Sequence, residues 1–158
     1  MMFGKNENYV DPSVDRDWSD NGQMPGNVKD FAGVVVGRKI VSAEIATITR
    51  NRLCGVERTE EALVLTLDNG ARYAISDSYD CCAYTELQSF IFDIDQCDNI
   101  ITDVATEDGY QKWHVLADFG DVLTLQVEWS CGNPFYYGYG FDIRKIEEVD
   151  GSLTVDRS

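Results

Sequence analysis

The run Leu63-Val64-Leu65-Thr66-Leu67-Asp68-Asn69-Gly70-Ala71-Arg72-Tyr73-Ala74-Ile75 decides the fold class. Leu63, Leu65 and Leu67 alternate with Val64 and Thr66, the period of a strand whose side chains point to opposite faces. Asp68 to Ala71 then supply a turn, and alternation resumes over Arg72-Tyr73-Ala74-Ile75. Asn69-Gly70 between two such runs predicts a β-hairpin, because both residues tolerate the positive φ of a type I′ turn.

The same signals recur on the C-terminal side. Strands are predicted over Tyr84–Ile94, Ile100–Glu107, Tyr110–Phe119, Val122–Trp129, Tyr137–Val149 and Ser152–Val155. Asp108-Gly109 and Gly120-Asp121 break them as tight turns, which implies an antiparallel meander. In the Val122–Trp129 strand, Leu123, Leu125, Val127 and Trp129 share one face, and Thr124, Gln126 and Glu128 share the other, so it is half-buried. Toward the N-terminus, residues 34–49 (VVVGRKIVSAEIATIT) are rich in β-branched side chains and read as strand. Helical turns are expected only within Asn51–Glu61 and Cys82–Gln88. Residues 1–31, rich in Asp, Asn, Gly and Pro with Phe3, Tyr9, Trp18 and Phe31 spaced along them, read as an irregular arm that packs on its own domain or on a neighbour. The expected architecture is a mainly β domain over residues 32–158, with β-rich α+β as the variant, formed as a sandwich or an open barrel.

The chain has 158 residues, enough for one domain with a sizeable core. Its formal net charge is −15, distributed as −3 over residues 1–31, +1 over 32–72 and −13 over 73–158. Between Tyr73 and Ile143 the only Lys or Arg is Lys112, against thirteen carboxylates. Direct nucleic-acid binding needs clustered Lys and Arg and is not expected. An acidic surface serves solubility, or docks on a basic protein surface, including one that normally holds nucleic acid. The N-terminal stretch lacks the basic start and apolar run of a secretory signal, and no run of eighteen apolar residues is present, so neither export nor a membrane span is expected. Cys54, Cys81, Cys82, Cys97 and Cys131 are odd in number and sparse, which reads as reduced thiols in a cytosol.

Chemistry-bearing patterns are few. In Ser76-Asp77-Ser78-Tyr79-Asp80-Cys81-Cys82-Ala83-Tyr84, adjacent cysteines on a strand point to opposite faces. A zinc site would need Cys54, Cys97, Cys131 or His114 in addition, and no Cys-x-x-Cys pair fixes two ligands together. Buried thiols packing as small apolar groups are expected, with a vicinal Cys81–Cys82 disulfide as the lesser option. Nucleophilic catalysis needs a thiol or hydroxyl activated by a base, and His114 is the only histidine, so any Cys–His pair must use it. It sits in a strand pattern without an accompanying motif, and no catalytic residue, metal ligand or cofactor site is assigned. Asp93 and Asp95 would share one strand face, close to Asp98, where a calcium or magnesium ion could sit. The glycine and terminal Glu of an EF-hand are missing, so the cluster reads as a solvated strand end and a candidate interaction surface. If residues 137–141 are extended, Tyr137, Tyr139 and Phe141 line one face beside Tyr136, with Gly138 and Gly140 leaving the other bare. Core filling explains such rings, and an exposed tyrosine patch for a protein partner is the competing reading.

From about Gly33 to Ile146 the chain resembles a domain of unknown function common in proteins of actinobacterial tailed phages. The resemblance rests on Gly37-Arg38-Lys39-Ile40, the hairpin residues Leu65, Leu67, Asn69 and Gly70, the Asp80-Cys81-Cys82 string, and the strand ending near Asp93. It implies a phage gene product with no activity to transfer. Together these readings lead to a non-enzymatic phage accessory protein that binds and modulates a host protein, in the host cytoplasm, through an acidic or aromatic surface. The alternatives are a structural virion component, such as a capsid decoration or tail-associated protein, and a small metal- or thiol-dependent enzyme.

Overall fold

The structure, a computed structural model, describes residues 23–51, 57–80, 83–131, 139–149 and 152–155. Among the described residues one α-helix, α1 (Met24–Val35), precedes ten strands: β1 (Ile40–Asn51), β2 (Glu57–Leu67), β3 (Arg72–Ser76), β4 (Ser78–Asp80), β5 (Ala83–Phe92), β6 (Asp103–Glu107), β7 (Lys112–Ala117), β8 (Gly120–Ser130), β9 (Asp142–Val149) and β10 (Ser152–Val155). The protein is mainly β, as its alternation predicts. The helical turns expected within Asn51–Glu61 and Cys82–Gln88 give way to strand over residues 57–61 and 83–88, which pair in β2 and β5, while residues 52–56 and Cys82 lie outside the described residues.

The Asn-Gly hairpin joins β2 to β3 with Leu65 opposite Tyr73 and Leu63 opposite Ile75. Its turn differs from type I′: Gly70 takes a positive φ of 88° and Asn69 does not. The Gly70 N–H donates to the Leu67 carbonyl at 2.9 Å, and the Leu67 N–H donates to the Ala71 carbonyl at 2.9 Å. This is a three-residue loop closing on a left-handed glycine. The Ala71 N–H donates to Asn69 Oδ1 at 3.0 Å, which holds Asn69 in an Asx turn.

Strands β1, β10, β9, β3 and β2 follow one another around a ring. Its seam is a parallel ladder of two pairs, Thr49 with Thr154 and Arg50 with Val155. Among the described residues this sheet is therefore curled until its edges meet at one end, and is not a barrel closed along its length. Its narrow interior takes small and branched side chains, Ala62, Val64, Ala74, Ile48 and Ile146. Leu63, Leu65 and Ile75 point the other way, so both faces of β2 are buried.

The second sheet has the order β4-β5-β8-β7-β6. The tight turns make β6, β7 and β8 a meander, and β5 then pairs with β8. Its inner face contributes Trp113, Val115, Leu123, Leu125 and Val127 to a core shared with Leu63, Leu65 and Ile75 of the first sheet.

Of the irregular arm expected over residues 1–31, residues 1–22 lie outside the described residues. Residues 24–31 belong to α1, which buries Met24, Asn27, Phe31 and Val35 at helical spacing. Pro25 fits the first turn, where its missing N–H costs nothing, and Gly37 follows the helix with a φ of 87°. Phe31 meets Trp113 edge-on at 5.9 Å, and Trp113 meets Phe141 at 5.3 Å. Asn27 Nδ2 donates to the Phe141 carbonyl at 2.9 Å while Asn27 Oδ1 accepts from the Phe141 N–H at 2.8 Å. The Gly140 N–H donates to Thr85 Oγ1 at 2.6 Å, and Ser78 Oγ donates to the Gly140 carbonyl at 2.7 Å. Residues 140–141 thus tie the helix to the second sheet.

Candidate functional site

The outer face of the second sheet carries the glutamates Glu86, Glu107 and Glu128. Alternation that sends Thr85, Leu87, Leu125 and Val127 inward sends Tyr84, Glu86, Gln126 and Glu128 outward. Register then aligns these in rows: Tyr79 opposite Tyr84, Glu86 opposite Glu128, and Gln126 opposite Lys112, which in turn faces Glu107. Lys112 is the only Lys or Arg on strands β4 to β8.

Like charges directly opposite each other destabilise a sheet. Tyrosines partly offset the Glu86–Glu128 juxtaposition, since Tyr79 Oη donates to Glu86 Oε2 at 2.8 Å and Tyr84 Oη donates to Glu128 Oε2 at 3.3 Å. Gln88 Nε2 donates to Glu86 Oε1 at 3.2 Å. The bond to Glu86 pushes the Tyr79 hydroxyl up to about 12, with burial, Asp77 and the Glu86 charge adding to it. Burial raises the Tyr84 hydroxyl, and Glu128 adds to the rise. Both hydroxyls therefore stay donors at neutral pH.

Asp77 lies at the margin of this face and accepts the Leu87 N–H at 2.9 Å. Burial raises its carboxyl above the ordinary value; the Leu87 N–H opposes the rise, and Glu86 and Glu60 add to it. A carboxyl raised in the folded state contributes stability fully present below its unfolded value and lost as pH rises through the folded one. Asp77→Asn keeps an acceptor for Leu87 and has no charge to bury. It is expected to melt above wild type at neutral pH, with the gap closing below about pH 4. Thermal unfolding across the acid range checks this, and equal midpoints at neutral pH contradict it.

His114 occupies the same face, 9% exposed. Its Nδ1 lies 3.1 Å from Asp121 Oδ1 and its Nε2 lies 2.7 Å from Glu107 Oε2. Both ring nitrogens thus meet a carboxylate, and the ring ties β6, β7 and β8 together. Cys97 follows the 3-10 turn beyond β5 and Cys131 follows the far end of β8. Among the described residues no three His, Cys, Asp or Glu side chains are placed to hold a metal ion.

A family model described as a domain of unknown function, DUF7448, matches residues 34–143. The chain belongs to the DUF7448 family. No curated protein and no solved structure matches it. The matched segment contains every strand of the acidic face, from β4 to β8. Among the described residues no helix of this DUF7448 protein is long and apolar enough to cross a membrane.

The other residues singled out from the sequence fall in different places. Asn69 and Gly70 make the β2–β3 turn. Tyr136, Tyr137, Cys81 and Cys82, and the side chain of Asp80, lie outside the described residues. Tyr139 is buried, stacked on Trp129 at 5.8 Å, and its hydroxyl accepts the Gln23 N–H at 2.9 Å, which removes it from any exposed patch. Residues 139–141 are not extended strand, because Gly140 has a φ of 100° and β9 begins only at Asp142. Asp93 and Asp95 do not share a strand face. The strand ends at Phe92, and Asp93 Oδ1 accepts the Asp95 N–H at 3.0 Å to cap the turn Ile94–Gln96. Sequence reasoning missed Tyr79, Tyr84, Glu86 and Glu128 as a group. Glu128 was visible on the polar face of its strand, but the β5–β8 pairing that sets it opposite Glu86 has no local signal.

Proposed function

We propose that this DUF7448 protein is a non-enzymatic binding domain that docks the outer face of its second sheet on a basic protein surface and modulates that protein. In line with the phage resemblance, it serves as an accessory factor in an actinobacterial host. The observation that carries this reading is Glu86 directly opposite Glu128, bordered by tyrosines. In the isolated domain that arrangement costs stability. A Lys or Arg from a partner, inserted between the two carboxylates, converts the cost into a charge-assisted contact. Tyr79 and Tyr84 add rigid rings with polar tips, a side-chain type enriched where binding energy concentrates.

The test is affinity capture from actinobacterial lysate with the tagged wild-type protein and with Glu86→Gln/Glu128→Gln. A basic protein retained by wild type and lost by the variant is the expected result. Capture of the same proteins by both, or of none by wild type, contradicts the reading.

A further inference from the structure

The strand order imposes a long crossing at one end of the second sheet. Strands β5 and β6 are consecutive in sequence but stand on opposite sides of the β8–β7 hairpin, so residues 93–102 traverse the ends of β8 and β7. Both ends of this crossing are tied down. The Asp93 N–H donates to the Val122 carbonyl at 2.9 Å, and the Thr102 N–H donates to the Leu116 carbonyl at 2.8 Å. The hairpin tip, Asp118-Phe119, lies at the same end, between the paired Ala117 and Gly120.

Three large apolar side chains meet solvent there: Ile94 is 70% exposed, Ile100 53% and Phe119 77%. A single exposed apolar side chain needs no explanation, but several brought to one end of a sheet mark an interaction site. Aspartates accompany them, with Asp95 and Asp98 in the crossing and Asp118 in the tip. Lys112 is at the opposite end of β7, roughly 20 Å away at the rise of an extended chain. Arg38, whose backbone accepts the Ile101 N–H, directs its guanidinium to Asp68 at 3.7 Å. The charged side chains of the crossing and the tip themselves are all carboxylates, and the apolar side chains stand among them.

We infer that this end of the sheet is a docking site for a cationic amphipathic segment of a protein, whose apolar side covers Ile94, Ile100 and Phe119 while its Lys and Arg side chains meet Asp95, Asp98 and Asp118. The inference goes beyond the reading of the outer face, since it uses neither Glu86 nor Glu128. The sign of the surrounding charge selects the occupant. An acidic segment is repelled, and a second copy of this chain brings another negative end against the first.

Fluorescence anisotropy of two labelled synthetic peptides tests it: an amphipathic Leu/Lys peptide, and a Ser/Lys peptide of equal length and charge. Wild-type protein is expected to bind the Leu/Lys peptide about tenfold more tightly than the Ser/Lys peptide. Phe119→Ser/Ile94→Ser should abolish that preference with an unchanged thermal midpoint, because both side chains are exposed. Glu86→Gln/Glu128→Gln should leave it within about twofold. Equal affinity of wild type for the two peptides overturns the inference, as does a preference that survives Phe119→Ser/Ile94→Ser. A preference lost only with Glu86→Gln/Glu128→Gln places the peptide on the outer face, which overturns this site and leaves the proposed function standing. A concentration-dependent dimer lost on Phe119→Ser assigns the patch to a second copy and likewise overturns the inference.

Discussion

Replacing Asn27 with alanine is expected to lower the unfolding free energy by about 2–4 kcal/mol, because it strips two buried backbone groups of their partners. The Asn27 amide spans the N–H and C=O of Phe141 as a neighbouring strand would, at 2.8 and 2.9 Å. Water cannot easily replace it, since Asn27, Gly140 and Phe141 are all buried. Asn27→Asp should not rescue the loss: its carboxylate still accepts from the Phe141 N–H but faces the Phe141 carbonyl with no donor. Gly140→Ala probes the same lock from the other side. An added Cβ would lie 3.1 Å from Asn27 Cγ, at a φ of 100° that side chains rarely adopt. Urea unfolding checks all three; losses within about 0.5 kcal/mol of wild type mean that the lock contributes nothing beyond an ordinary surface contact.

Trp113→Ala is expected to cost about 3–5 kcal/mol, the range for removing a large buried aromatic side chain. Among the described residues Trp113 is the largest fully buried side chain, and it connects Phe31 of α1 to Phe141 ahead of β9. It also supports a strained turn. Asp108, Gly109 and Tyr110 have φ values of 57°, 64° and 67° in succession, and the Trp113 indole N–H donates to the Tyr110 carbonyl at 2.9 Å. The left-handed conformation costs a side-chain-bearing residue roughly 1–2 kcal/mol, so the indole bond and the burial of Tyr110 must exceed that to hold it. Trp113→Phe keeps most of the ring and loses the donor, and it should fall between wild type and Trp113→Ala. A Trp113→Ala variant with wild-type urea midpoint contradicts this account of the core.

Much of the sheet structure was legible because it is written in local alternation and turn chemistry. Leu63 to Ile75 predicts its hairpin, and the Asp108-Gly109 and Gly120-Asp121 breaks predict the β6–β7–β8 meander. What failed to show depends on contacts distant in sequence. The helix over Met24–Val35 is obscured by Gly26, Gly33 and the valines at 34 and 35, which have poor helix propensity. The spacing of Met24, Asn27, Phe31 and Val35 carried the only signal, and the burial of Phe31 against Trp113 overrides the propensity. Asp93 and Asp95 looked like strand neighbours because nothing local announces that the Asp93 carboxylate caps a turn. The candidate site was half legible. The charge imbalance after Arg72 pointed to an acidic surface, but the facing of Glu86 and Glu128 follows from the β5–β8 register, with a bulge between Leu87 and Ser89 that no sequence pattern marks.

The central claim is that the Glu86–Glu128 row receives cationic side chains of a partner. The most direct measurement is the affinity of the captured basic protein for wild type and for Glu86→Gln/Glu128→Gln across a salt series, from about 50 mM to about 500 mM NaCl, where the screening length shrinks several-fold. The expected result is that wild type binds more tightly than the variant at low salt, and that the two converge as salt rises. Equal affinities at low salt, or a difference that salt leaves unchanged, would contradict it.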